Sequence, residues 1–140
     1  MSKINLNFTI EKKDGKEIMK LQDKELLNKV AKEWAENIAG FKCNNKFKKT
    51  KKTQVRNFYD KVLELENEIK KSDFESMYPF IKMLNSKVAY GVTRDVVNCK
   101  FQEMFNECLE QIKLDEKGEQ TFKNFKLFFE AVIGFYKGRD

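Results

Sequence analysis

Apolar residues in this 140-residue chain recur at one period before Asp23 and at another after it, and that switch restricts the fold more than any other feature. Ile4, Leu6, Phe8 and Ile10 alternate with Asn5, Asn7 and Thr9, the period of a half-buried strand. Asp14-Gly15 is a turn dipeptide, and Ile18 and Leu21 follow it, so residues 1–20 read as an N-terminal extension with a short hairpin. A lone two-stranded hairpin is marginal in water, so this one has to lie on the helices or on a partner. From Asp23 onward the spacing is helical. Leu26, Leu27, Val30, Trp34 and Ile38 share a face, with Asp23 as cap and Gly40 at the position just past the end. Val55, Phe58, Val62, Leu65 and Ile69 form the stripe of a second helix that starts at Thr53.

The pattern predicts three further helices. Ser72-Asp73-Phe74-Glu75 has the form of a capping box, but Pro79 would interrupt a helix begun there. With Ser76 as cap the proline falls in the first turn, giving a helix over about 76–91 with Met77, Phe80, Ile81, Leu84 and Val88 inward and Gly91 near its end. A fourth, over about 94–113, turns Val97, Phe101, Met104, Phe105, Cys108 and Ile112 to the core. The fifth, over about 119–137, has Phe122, Phe125, Phe129, Val132 and Tyr136 on one stripe and adds Leu127, Phe128, Ala131 and Phe135 elsewhere. A helix apolar on most sides is either central in its bundle or shared with a neighbour. On the second reading Tyr59, Leu63, Phe128 and Phe135 form a self-association surface, with Gly134 permitting close approach. The expected fold is all-α, a compact bundle of about five helices over 21–140, with a basic linker at 41–53.

Several function classes drop out on composition. The chain has no histidine, which removes the commonest general base near neutral pH and every Ser-His or Cys-His pair. Cys43, Cys99 and Cys108 are odd in number and lack paired close spacing, which argues against a zinc site and against a disulfide framework. No apolar run approaches the ~20 residues of a membrane helix, and no apolar stretch follows Met1, so a soluble, cytoplasmic protein is expected. Glu103, Glu107 and Glu110 make an acidic row that could hold Mg²⁺ in a nuclease, or could simply be a solvated face. Neither enzyme activity nor a cofactor is expected.

The positive charge is local. Lys42, Lys46, Lys48, Lys49, Lys51, Lys52 and Arg56 form a stretch of +7 without a carboxylate, where the whole chain sums to +6. Such a strip leading into a helix N-terminus suits a nucleic-acid backbone, and lysines favour sequence-independent phosphate contact over base reading. The alternatives are a solvated loop for the lysines and an ion pair with Asp60 for Arg56.

Three short motifs in order carry a resemblance: Thr53-Gln54-Val55-Arg56 after the basic strip, Val88-Ala89-Tyr90 leading to Arg94, and Phe129-Glu130-Ala131-Val132-Ile133 followed by Tyr136-Lys137-Gly138. Together, from about Thr53 to Arg139, they resemble the small subunit of the type III-A CRISPR effector, the Csm complex. The resemblance implies a non-catalytic helical subunit, present in several stacked copies, that holds RNA by its phosphates beside the other subunits of the effector. Guide RNA, target RNA and copies of itself are the implied partners. Combined with the local charge, the expected RNA contacts are Lys48, Lys49, Lys51, Lys52, Arg56, Lys87, Arg94, Lys137 and Arg139. Thr93 stands where the family pattern has glycine before the arginine, and the N-terminal alternating segment is no part of that pattern. A helical adaptor that binds only protein is the competing reading; it accounts for the apolar arc of the last helix but not for the strip.

Overall fold

A computed structural model describes residues 1–140. The chain opens with an antiparallel hairpin, β1 (Phe8–Lys13) and β2 (Lys16–Leu21), in which Phe8 pairs with Leu21 and Lys13 with Lys16. Asp14 and Gly15 both take positive φ, 53° and 77°, as the two-residue turn requires. A π-helical turn at Leu26–Val30 runs into α1 (Ala31–Ala39). A second small hairpin follows, β3 (Phe41–Cys43) and β4 (Lys46–Lys48), then α2 (Lys52–Lys71), α3 (Phe74–Lys82), α4 (Leu84–Thr93), α5 (Cys99–Gln111) and α6 (Gly118–Phe135). Because α3 and α4 are parted only by Met83, they form one broken rod, and the bundle is one of five helices.

The apolar stripes meet in a single core of 29 buried residues. Phe58 of α2, Phe101 and Phe105 of α5, and Phe125 and Phe129 of α6 pack mainly edge to face, with centroids 4.9–6.1 Å apart, a geometry that adds electrostatic complementarity to burial. Helix α6 lies at the centre, against α1 and its leading turn on one side and α2 on another. That position explains its wide apolar arc. Phe128 is 0% exposed, so it belongs to this core and cannot lie on a self-association surface. Tyr59, Leu63 and Phe135 are half-buried. Tyr59 stands edge-on to Phe129 at 5.6 Å and donates to Glu130 Oε2 at 3.3 Å, inside the α2–α6 seam.

The N-terminal extension is anchored before its strands begin. Ile4 and Leu6 are buried, while their backbone groups bond to side chains of the bundle. Leu6 N donates to Gln111 Oε1 at 2.8 Å, Gln111 Nε2 to Ile4 O at 2.7 Å, and Asn124 Nδ2 to Leu6 O at 3.2 Å. The alternation at residues 4–6 thus seats the segment on α5 and α6 and does not build the strand, which starts only at Phe8.

Elsewhere the structure departs from expectation for identifiable reasons. Asp73, not Ser76, caps the third rod: its Oδ1 accepts from Ser76 N at 2.7 Å. Pro79 sits inside α3, where the carbonyl it leaves unbonded, that of Glu75, is on an exposed residue and open to water. Phe80, expected inward, is 50% exposed, and Met77 is only half-buried. Gly91 does fall in the last turn of α4, near its end; a Cβ there would sit 3.0 Å from Val97 Cγ2, so the glycine lets the following turn fold back. Residues 94–98 are that turn, and α5 begins only after Asn98. Gly40 is extended (φ −172°), not left-handed; an added Cβ would lie 2.3 Å from the Phe47 ring. Finally, Cys43 and Cys99 form a disulfide with a Cα–Cα distance of 6.0 Å, against the expectation of none, while Cys108 is free and buried. A separation of 56 residues carries no signal in sequence; the pairing exists because the β3–β4 hairpin lands on the start of α5.

Candidate nucleic-acid interface

The strip at 41–53 is not a linker loop. Asn44 and Asn45 occupy the turn with φ of 50° and 67°, a conformation their short amide side chains tolerate better than most, and the strand pairs Phe41–Lys48 and Cys43–Lys46 close around it. Asn98, 1% exposed, holds this hairpin to the bundle. Its Nδ2 lies 3.1 Å from the carbonyls of Asn37, Ile38 and Lys48, its Oδ1 accepts from Phe101 N at 3.0 Å and so caps α5, and its backbone N donates to Thr50 Oγ1 at 3.0 Å. Lys51 N donates to Val96 O at 3.0 Å, and the Tyr136 hydroxyl donates to Thr50 O. Burial against the Thr50 carbonyl pushes the Tyr136 phenol up to about 12, with the charge of Asp140 adding to the effect. The disulfide closes the other side of the hairpin, and the Lys100 ammonium lies 4.6 Å over the Phe41 ring.

These ties bring four pieces of chain to one end of the bundle: the β3–β4 hairpin, the N-terminus of α2, the C-terminus of α4 and the tail after α6. Lys49, Lys51, Lys52, Arg56, Lys87, Arg94, Lys137 and Arg139 are exposed there, and Lys48 is half-buried, its Nζ 3.1 Å from Asp95 Oδ1. Helix α2 divides the set. On its α6 side Lys52 and Arg56 border a cleft of about 400 Å³ with Tyr59, Asp60 and Tyr136. Arg56 makes no ion pair with Asp60 or any other carboxylate. On the α4 side Lys87, Tyr90 and Arg94 line a second cleft, of about 410 Å³. Tyr90 is 63% exposed, so its ring is not core; the Arg94 guanidinium lies 5.5 Å from its centroid.

One expected element of the site is already occupied. Thr53 does not cap α2, which starts at Lys52 with no cap from its own first residues. Asp140 reaches back instead, its Oδ1 accepting from Thr53 N at 2.8 Å and from Thr53 Oγ1 at 3.0 Å. The Thr53 amide and hydroxyl, with Lys51 and Lys52 nearby, hold the Asp140 carboxyl below the usual range. The backbone donor that sequence offers to a phosphate is thus filled by the chain's own carboxylate. Sequence reasoning missed Asp140, Asn98 and Cys43 alike, since each acts across 48 residues or more; only the Asn98 cap at the start of α5 is a local signal.

Two of the three carboxylates in the acidic row on α5 have structural partners. Glu107 Oε1 accepts from Ile4 N at 3.1 Å, and Glu103 pairs with Lys100 at 2.9 Å. A family model described as Csm2 Type III-A matches residues 21–139. No curated protein and no solved structure matches the chain.

Proposed function

We propose that this chain, which belongs to the Csm2 type III-A family and is thereby a subunit of a type III-A CRISPR effector, is a non-catalytic RNA-binding subunit that holds guide or target RNA by its phosphates and stacks in several copies. The observation that carries this reading is the gathering of nine cations, from four separate segments, at one end of the bundle, with one ion pair among them. Lysine and arginine so arranged neutralise backbone phosphates without reading bases, and the exposed Tyr90 ring beside Arg94 adds a stacking surface that any base can use. Self-association through the half-buried Tyr59, Leu63 and Phe135 is part of the proposal; Phe128 is not.

Binding to single-stranded RNA should be weak for one copy and nearly independent of sequence. With four phosphates engaged, log K should fall with log salt at a slope of about −3, at ~0.7 per phosphate. Replacing Lys51, Lys52 and Arg56 with Gln should lower affinity and leave the thermal transition in place, because all three are exposed. A flat salt dependence, strong preference for one sequence, or Mg²⁺-dependent cleavage abolished by Glu103→Gln would each overturn the reading. The adaptor alternative predicts no RNA binding at any salt.

A further inference from the structure

All of the N-terminal hairpin but its last residue, Leu21, precedes the residues matched by the family model, and the RNA reading leaves it without a task. It stands off the bundle at the far end of α5 from the disulfide. Between it and the ends of α3 and α5 lies an open, polar cleft of about 1130 Å³. Lys24, Lys82, Lys113 and Lys117 border this cleft, and Phe8 contributes a half-buried ring to its wall. None of the four lysines has a carboxylate within 4.0 Å. Of the acidic groups along the cleft, Glu11 pairs with Lys20 at 2.8 Å, while Glu110 and Asp115, whose Oδ1 accepts from Lys117 N at 2.9 Å, keep their charge; Lys24, Lys82, Lys113 and Lys117 outnumber them. Lys82 Nζ donates to the Leu109 carbonyl, and its ammonium is held below the ordinary lysine range by burial and by the charge of Lys113. Like charges brought together around a cavity gain most from an anion placed among them.

We propose that this hairpin–bundle cleft is a second site, separate from the interface at the other end of α5, and that it takes a phosphate-bearing ligand through Lys24, Lys113 and Lys117. Three features select the chemistry. The cleft is larger than a single small anion needs, and four lysines without ion pairs border it, which suits a ligand with several negative charges. Its cations are lysines, point charges that neutralise phosphate oxygens without fixing their orientation. The Phe8 ring offers an apolar face beside the charges, as a nucleotide or an RNA strand would use. The two sites are electrostatically distinct: α5 spans twelve rises of ~1.5 Å, about 18 Å, and Glu103 and Glu107 lie along it between them. A phosphate strand laid along α5 would be repelled there, so the cleft is not a continuation of the first interface.

The test uses the full chain with tripolyphosphate as probe, measured by calorimetry, and a fluorescent single-stranded RNA as competitor. Tripolyphosphate should bind the parent chain. The variant Lys113→Glu with Lys117→Glu should lose about tenfold or more, as expected when charged hydrogen bonds worth about 1.5–3 kcal/mol are removed. The variant with Lys51, Lys52 and Arg56 replaced by Gln should keep the binding that the cleft variant loses. Displacement of the probe by RNA would make a strand the occupant, and failure to displace it would make a small polyphosphate the occupant; either supports the site. Absence of binding, or equal binding by the cleft variant, overturns it. Should charge reversal disturb folding, Lys24→Gln with Lys113→Gln gives the same comparison. The α2 variant retaining full RNA affinity would instead count against the proposed function alone.

Discussion

Gly134 separates two demands that a helical glycine can answer. Its position among Phe128, Phe135 and Leu127 reads as a place for close backbone approach, yet a Cβ built there meets nothing within 4 Å and the residue is exposed. The glycine therefore costs backbone entropy with no packing return inside one copy. Gly134→Ala should raise the stability of the isolated chain by about 0.5 kcal/mol, read from the urea midpoint. A loss of stability would mean that the last turn of α6 has no room for a Cβ at this position. If the same variant weakens multi-copy assembly on long RNA, the glycine serves a contact between copies. Gly118 is the opposite case, because a Cβ there would lie 1.9 Å from the Lys113 carbonyl and 2.6 Å from the Phe74 ring, and no side-chain movement relieves a backbone clash.

Among the elements, α3 owes its start to one exposed carboxylate. The Ser76 amide and hydroxyl hold the Asp73 carboxyl below its ordinary value of 3.8. A depressed folded value means that the cap's contribution is fully present above the unfolded value, then lost as pH falls through the lower, folded one. Acidification below about pH 4 should thus fray α3 from its N-terminus, along with the Asp140 clasp on α2, whose carboxyl is depressed too. Asp73→Ala should lower the melting temperature at pH 7 and reduce this acid sensitivity, whereas Asp73→Asn, which still caps, should keep most of the stability while removing the titration. Melting curves between pH 2 and pH 7 decide it. An unchanged acid profile in both variants would show that the pH dependence arises elsewhere.

At the scale of the whole molecule, two features bind the cationic end to the bundle: the central helix α6 and the Cys43–Cys99 bridge. Phe128→Glu should fail to fold, since it removes a fully buried ring worth about 3–5 kcal/mol and puts an unpaired carboxylate in its place, while Phe135→Glu should stay folded; circular dichroism distinguishes them. Reduction of the disulfide should cost about 2–4 kcal/mol through the freedom regained by the 56-residue loop, seen as a lower urea midpoint in the parent chain and no reductant effect in Cys43→Ser. What could be read from the sequence was whatever acts within a turn or two of chain. The switch of period located the hairpin and the helices, Asp14-Gly15 marked the first turn, and the stripe Val55, Phe58, Val62 and Ile69 identified a core face, because local conformation and amphipathicity are set by near neighbours. The basic strip and the three motifs likewise led to the family. Only the tertiary structure decided that Phe128 faces inward, that Cys43 meets Cys99, that Asp140 fills the α2 terminus, and that Lys24, Lys82, Lys113 and Lys117 border one cleft. Each depends on how separate helices cross and where their ends meet, and one helix's periodicity specifies which face is buried without specifying what it is buried against.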